Sequence, residues 1–360
     1  MEGIAWLVQS VDGDACPGVQ WSDKGAYRVQ LTRGSLAVIV GLVLVLAAGG
    51  VTAAARSGSE RGDSLRIESL TNPASQSSGR TADASSARRQ PAPPTPPPTP
   101  PPPKSVFETH QILAYYGNPL SVTMGILGEY QGEELVRRVK AQAAKYQELN
   151  PERTVIPALH LVYAVAQANP GADGTYIIHM SDEMVEGLIE LTRANGMLFF
   201  LDLQNGRADP VEEAKKVQHW LQNEHVHLAV DPEFTLRAGE NPRDDIGEID
   251  GAVINQIQDL LQQTALDARI GNKILIVHQF RPDMIENKAL IAKDRDRVDV
   301  VINMDGWGQP VGKLSKYQAH ITNEPVEYAG IKLFYRWDKP MLTEAEVQAL
   351  TPRPNYVQYQ

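Results

Sequence analysis

The chain has a single cysteine, Cys16, among its 360 residues. It therefore forms no intramolecular disulfide and offers no cysteine-based zinc site, and its thiol content says nothing about compartment. An excess of basic charge is missing too, for the net charge is −10. Residues 1–104 carry ten Lys/Arg against eight Asp/Glu, and residues 105–360 carry 24 against 36. An acidic C-terminal region lacks the clustered Lys/Arg that neutralises phosphates, so nucleic acid is not expected as a partner. No Gly-x-Ser-x-Gly elbow and no P-loop signature occur, which argues against a serine hydrolase and a nucleotide enzyme.

Charge is absent altogether from residues 34–55, and ten of the 21 residues from Ser35 to Ala55 are Leu, Ile or Val. A helix of that length spans about 32 Å, close to the roughly 30 Å of bilayer hydrocarbon. A buried helix of a water-soluble core should show polar positions at helical spacing, and this segment shows none. It reads as a single uncleaved transmembrane helix. The short segment 1–33 ahead of it is long for a signal-peptide n-region, although Ala53-Ala54-Ala55 offers a cleavage site for that alternative. Lys24, Arg28 and Arg33 before the span nearly balance Arg56, Arg61 and Arg66 after it, so orientation rests on the character of the segments C-terminal to the span.

Residues 56–90 are rich in Ser, Ala, Arg and Gly, a composition expected to be disordered. Residues 91–103, PAPPTPPPTPPPP, hold ten prolines and predict a polyproline helix about 40 Å long. Together 56–104 form a linker suited to holding a domain away from a surface. A ligand for proline-binding modules is the rival reading. The expected arrangement is a single-pass cell-membrane protein with its C-terminal domain outside.

From residue 105 to 360 short apolar runs alternate with helical patterns. The predicted strands are Gln111–Tyr116, Thr154–His160, Met197–Leu203, Val226–Val230, Lys273–Gln279, Val298–Asp305, Gly330–Tyr335 and Asn355–Tyr359. Met184, Val185, Leu188, Ile189 and Leu191 recur at helical spacing between two of them, and so do Val253, Ile254, Ile257, Leu260 and Leu261. Such alternation implies parallel strands with crossover helices, and eight strands in this length predict an α/β fold, a (β/α)8 TIM-like barrel. An open doubly wound sheet is the rival, but YYGNP stands where its Gly-rich phosphate loop would follow the first strand. TYIIHM, residues 175–180, is a possible extra strand, and the usual helix after the eighth strand is not seen.

In such barrels the strand ends and the loops after them build the active site. Polar residues gather there. His160 ends strand two, Asp202 strand three with Gln204 beyond it, and Asp231 and Glu233 strand four. His278 and Gln279 end strand five, Asp305 strand six, and Asp338 lies after strand seven. Each single Asp could instead cap a helix or a turn, which is the expectation for Asp338 and an open alternative for Asp202 in the loop QNGRADP. His160 and His278 are expected as hydrogen-bonded pocket walls rather than metal ligands, and His227 as a satisfied interior residue. Asp231 and Glu233, flanking one proline, are the pair best suited to direct chemistry. A second carboxylate some 6–7 Å away raises a glutamic acid toward about pH 6, the range of a general acid. Glu233 is the expected proton donor, with Asp231 as its charge partner or as the group orienting an N-acetyl nucleophile, and Asp202 and Asp305 complete the catalytic set. Tyr115, Tyr116, Trp307, Tyr335 and Trp337 are candidate sugar-stacking residues on the rim.

Asp-x-Glu at the end of strand four resembles the barrel glycosidases that cleave N-acetylated glycans, the chitinase-like and muramidase-like families. The Met-Asp of VINMDGW is similar to the chitinase family's sixth strand, and Trp337 to its pocket tryptophan. The resemblance implies a glycoside hydrolase acting on a polysaccharide or cell-wall glycan, with no cofactor. The sequence departs from both patterns, with Ala229 in place of a further acid and Tyr115-Tyr116-Gly117 in place of an acid on strand one. A catalytically silent glycan-binding or envelope-structural barrel therefore remains an alternative. A metal-dependent hydrolase is a second, although the His-x-His common on strand one of such barrels is absent.

Overall fold

The computed structural model describes residues 105–360 apart from residue 325, together with two short antiparallel strands, Val19–Trp21 and Tyr27–Val29. The transmembrane helix expected at 34–55 and the proline-rich linker expected at 56–104 lie outside the described residues. Among the described residues no helix is long and apolar enough to cross a membrane.

Eight parallel strands close into a ring. They are β1 (His110–Gly117), β2 (Thr154–Ala166), β3 (Leu198–Leu203), β4 (Val226–Val230), β5 (Lys273–Gln279), β6 (Val298–Met304), β7 (Tyr328–Leu333) and β8 (Tyr356–Tyr359). Each pairs with the next in chain order, and β8 pairs back onto β1 with Tyr356 opposite Ile112. Closure leaves no open edge, which distinguishes this barrel from the doubly wound rival.

Three details differ from the sequence-based expectation. Strand β2 runs six residues past His160, so that histidine sits within its strand rather than at its end. Strand β6 stops at Met304 and β7 at Leu333, which places Asp305 and Tyr335 just beyond them. The extra strand is real, as Ile177–His179, but pairs antiparallel with the overhang of β2 and leaves the ring at eight.

Helices α1 (Ile126–Glu129), α2 (Gly132–Leu149), α3 (Asp182–Ala194), α4 (Pro210–Lys216), α5 (Gln218–Leu221), α6 (Gly251–Ala268), α7 (Pro310–Tyr317) and α8 (Glu344–Gln348) lie between the strands. Spacing explains them. In α3, Val185, Ile189 and Thr192 are buried at intervals of four and three, and Ser181 caps the helix by accepting from the Met184 amide. Only the β5–β6 connection lacks an α-helix, carrying two 3-10 turns instead.

Alternation sorts each strand's side chains between two cores. Leu113, Leu159, Leu201, Leu228, Leu275 and Ile331 face the helices. Ile112, Ala114, Ala158, Phe200, Ala229 and Ile276 fill the barrel's interior. The interior set is apolar at its base, and two residues further along several strands the same face turns polar.

Candidate active site

The inward positions beyond that apolar plug are Tyr116, His160, Asp202, His278, Asn303, Lys332 and Gln358, all buried. Hydrogen bonds show that they meet across the lumen. His160 on β2 lies 2.7 Å from the Tyr356 hydroxyl and 2.9 Å from the Gln358 amide, both on β8. Asn303 on β6 donates to Gln358 at 2.9 Å. These strand pairs are not neighbours, so the contacts run through the barrel's interior. The mouth above carries Asp231, Glu233 and Asp305.

Asp231 leaves β4 and its Oδ1 accepts the Glu233 amide at 3.2 Å, capping the short 3-10 turn Pro232–Phe234. Pro232 supplies the fixed φ of that turn's first position, so the turn that carries Glu233 is set by local sequence. Asp231 is buried, whereas Glu233 is partly exposed at the mouth. Asp305 accepts from Lys332 Nζ at 2.9 Å and lies 3.0 Å from His278 Nδ1. The Lys332 ammonium rests 3.8 Å over the Tyr116 ring, a cation–π contact sealed from water.

These surroundings drive the acids apart. Burial first, then the carboxylates of Asp231 and Asp305, push Glu233 well above the ordinary range. Burial and the charges of Asp202 and Asp305 raise Asp231 to about 7. Burial works the same way on Asp305 but is outweighed by Lys332 and His278, which hold its carboxyl down. His278 is raised to about 10 because Asp202 and Asp305 outweigh its burial. His160 is buried enough to fall to about 4 and is neutral. The mouth therefore brings together one carboxyl whose hold on its proton is strengthened, Glu233, and one whose hold is weakened, Asp305.

Other sequence-derived candidates separate by strand face. Tyr115 and Tyr116 are adjacent and point opposite ways: Tyr116 roofs the lumen, while Tyr115 packs outward against Tyr335 and Tyr359. Gln204 spends its Oε1 on the Ala166 amide at 2.9 Å. Gln279 holds the β5–β6 connection, donating to Arg281 O and accepting from Lys288. Trp307 and Trp337 lie with ring centroids 6.0 Å apart, and Trp337 is 42% exposed, whereas Tyr335 stacks on Tyr359. Asp338 accepts the Gly308 and Phe334 amides and pairs with Lys313 at 3.0 Å, a structural role. In QNGRADP it is Asp209, not Asp202, that binds the loop backbone, through the Val211 and Glu212 amides. His227 is a satisfied interior residue, accepting the Ile274 amide at 3.2 Å.

Sequence reasoning missed Lys332, Asn303, Tyr356 and Gln358. A signal was present: Lys332 is one charge inside the apolar run GIKLF, and Asn303 lies two residues before Asp305 on the same face. His160, Asp202 and His278 also form a group whose ligand atoms all lie within 4.8 Å of one another, so these three could hold a metal ion.

No model of a known protein family and no curated protein sequence matches the chain. Among solved structures, a hyperthermophilic endo-β-1,4-glucanase in complex with substrate is similar at 9% identity and a TM-score of 0.41, covering 71% of this chain and 91% of that one. A Bacillus subtilis mannanase is similar at 12% identity and a TM-score of 0.36, covering 71% and 82%. Likeness this slight carries no functional conclusion, and the fold rests on the strand pairing of the chain itself: it is a closed parallel eight-stranded barrel of the TIM type.

Proposed function

We propose that this barrel is a glycoside hydrolase acting on an envelope or environmental polysaccharide, with Glu233 as proton donor and Asp305 as the ionised carboxylate. The observation that carries the reading is the gathering of Asp231, Glu233 and Asp305 at one barrel mouth, with Asp305 held by Lys332 Nζ at 2.9 Å. Glycosidic cleavage needs an acid that keeps its proton until the leaving oxygen takes it, and an anion to support the developing positive charge or activate water. Asp231 turns the backbone that presents Glu233 and repels its ionised form. The paired rings of Trp307 and Trp337 suit the faces of sugar rings. The N-terminal span and stalk would anchor the chain in the cell membrane and present the barrel mouth to extracytoplasmic glycan.

One observation favours a silent, glycan-binding barrel instead. Ala229, opposite Asp202 in the β3–β4 ladder, puts a methyl group in the lumen where the chitinase-like pattern has an acid. Incubation of the full chain with peptidoglycan, chitin and plant glycans separates the readings. The Glu233→Gln variant should release reducing ends about 10²–10⁴-fold more slowly than the parent. Equal rates would remove Glu233 from the chemistry, and binding without turnover by the parent would establish the silent barrel.

A further inference from the structure

We propose that a first-row divalent metal ion, zinc in its tetrahedral form, sits inside the barrel, bound by His160 Nε2, His278 Nε2 and the Asp202 carboxylate, with a water as fourth ligand. The three side chains project from β2, β5 and β3 and are completely buried. Among the described residues ten buried side-chain polar atoms have no hydrogen-bond partner, and four of the ten are His160 Nε2, His278 Nε2 and both oxygens of Asp202. Unsatisfied buried polar atoms are costly and scarce, and these four face only one another, as ion pairs too long for well-formed hydrogen bonds.

The spacing suits an ion better than it suits the three groups alone. Asp202 Oδ2 is 3.3 Å from His160 Nε2 and 3.5 Å from His278 Nε2. Charge-assisted hydrogen bonds would draw in to about 2.8 Å. A tetrahedral ion with bonds of about 2.0–2.1 Å separates its ligand atoms by about 3.3 Å. On β4, the stave between Asp202 and His278, the residue opposite Asp202 is Ala229, whose methyl brings no competing ligand atom.

The outer nitrogens of both imidazoles are already engaged, as metal-bound histidines require. His278 Nδ1 is 3.0 Å from Asp305 Oδ2, a carboxylate that can accept its N–H hydrogen bond. His160 Nδ1 is 2.7 Å from the Tyr356 hydroxyl, which can accept. Turning the Gln358 amide about its terminal bond presents its oxygen to the same Nδ1, and turning Asn303 with it preserves their mutual hydrogen bond. The Nε2 lone pair of His160 is then free to bind, and at His278 the ion takes the place of the Nε2 proton, which leaves to solvent. Two imidazoles and one carboxylate suit zinc and its first-row neighbours, not calcium or magnesium, which take oxygen ligands.

Tyr116 lies over the site, its ring centroid 5.2 Å from that of His160 and 6.2 Å from that of His278. A polysaccharide cannot reach an ion beneath that roof, so the role is structural, tying three staves together, and the inference does not depend on the glycosidase reading. The test is metal content and coordination, measured on the full chain purified from cells grown with zinc or with cobalt(II). One ion per chain is expected, together with the visible absorption of tetrahedral cobalt(II) in the cobalt-grown protein. Asp202→Asn should lower the bound metal at least tenfold. Should that variant not fold, the parent's stoichiometry and cobalt spectrum decide alone. A parent chain that is metal-free under both growth conditions, or a folded Asp202→Asn variant with undiminished metal, overturns the proposal.

Discussion

Lys332 is the residue on which the electrostatics of the mouth turn. Its ammonium pairs with Asp305 at 2.9 Å, and both side chains are below a tenth exposed. Removing one partner of such a pair leaves an uncompensated buried charge, so Lys332→Met should cost about 3 kcal/mol in urea unfolding. The sign of the pH effect comes from Asp305. Its native carboxyl is held below the unfolded value, so its contribution to stability is present above the ordinary carboxylate range and lost as pH falls through the depressed value. Lys332→Met should therefore move the onset of acid unfolding to higher pH. Glu233 carries the opposite shift. If it is the proton donor, hydrolysis should fade as pH rises through its raised value, and rate profiles of the parent should show that alkaline limb. A rate that climbs steadily through the alkaline range would exclude it.

At the scale of single elements, short-range sequence signals decided most outcomes. Asp209 followed by Pro210 starts α4, and Asp209→Ala should cost about 1 kcal/mol in thermal unfolding because two amides lose their acceptor. The turn after β1 has a stricter demand. Gly125 adopts φ +123°, and a Cβ there would fall 2.5 Å from the Tyr116 carbonyl oxygen. Gly125→Ala should lower stability by about 2 kcal/mol or more and displace Tyr116, seen as a change in near-ultraviolet circular dichroism. Helix α3 and the turn Asp231-Pro232-Glu233 were legible because their causes lie within a few residues. Strand ends were less so. The run from Thr154 stays apolar past His160, and only its pairing with Ile177–His179 reveals how far β2 extends. The face of Tyr115 against that of Tyr116 depended likewise on which neighbour β1 met across the sheet.

For the whole molecule, closure is the decisive feature. β8 hydrogen-bonds both β7 and β1, and it supplies Tyr356 and Gln358 to the interior network. Deleting residues 354–360 should open the ring, leave two unpaired edges and promote self-association. Calorimetry should then lose its single cooperative transition, and sedimentation should show larger species. Unchanged unfolding would mean that the eighth strand contributes little. Placement of the barrel outside the cell is tested by a cysteine introduced into the 56–104 linker. It should react with a membrane-impermeant label in intact cells, and protection would reverse the orientation.

Composition and periodicity sufficed for the parallel eight-stranded barrel, because its strand–helix alternation arises from patterns only a few residues long. Which polar side chains share the lumen, and that His160, Asp202 and His278 meet while Gln204 and Gln279 turn elsewhere, required the closed ring. Those contacts join strands far apart in the chain. Their distances come from the tilt and register of all eight staves together, and no local stretch of residues encodes that.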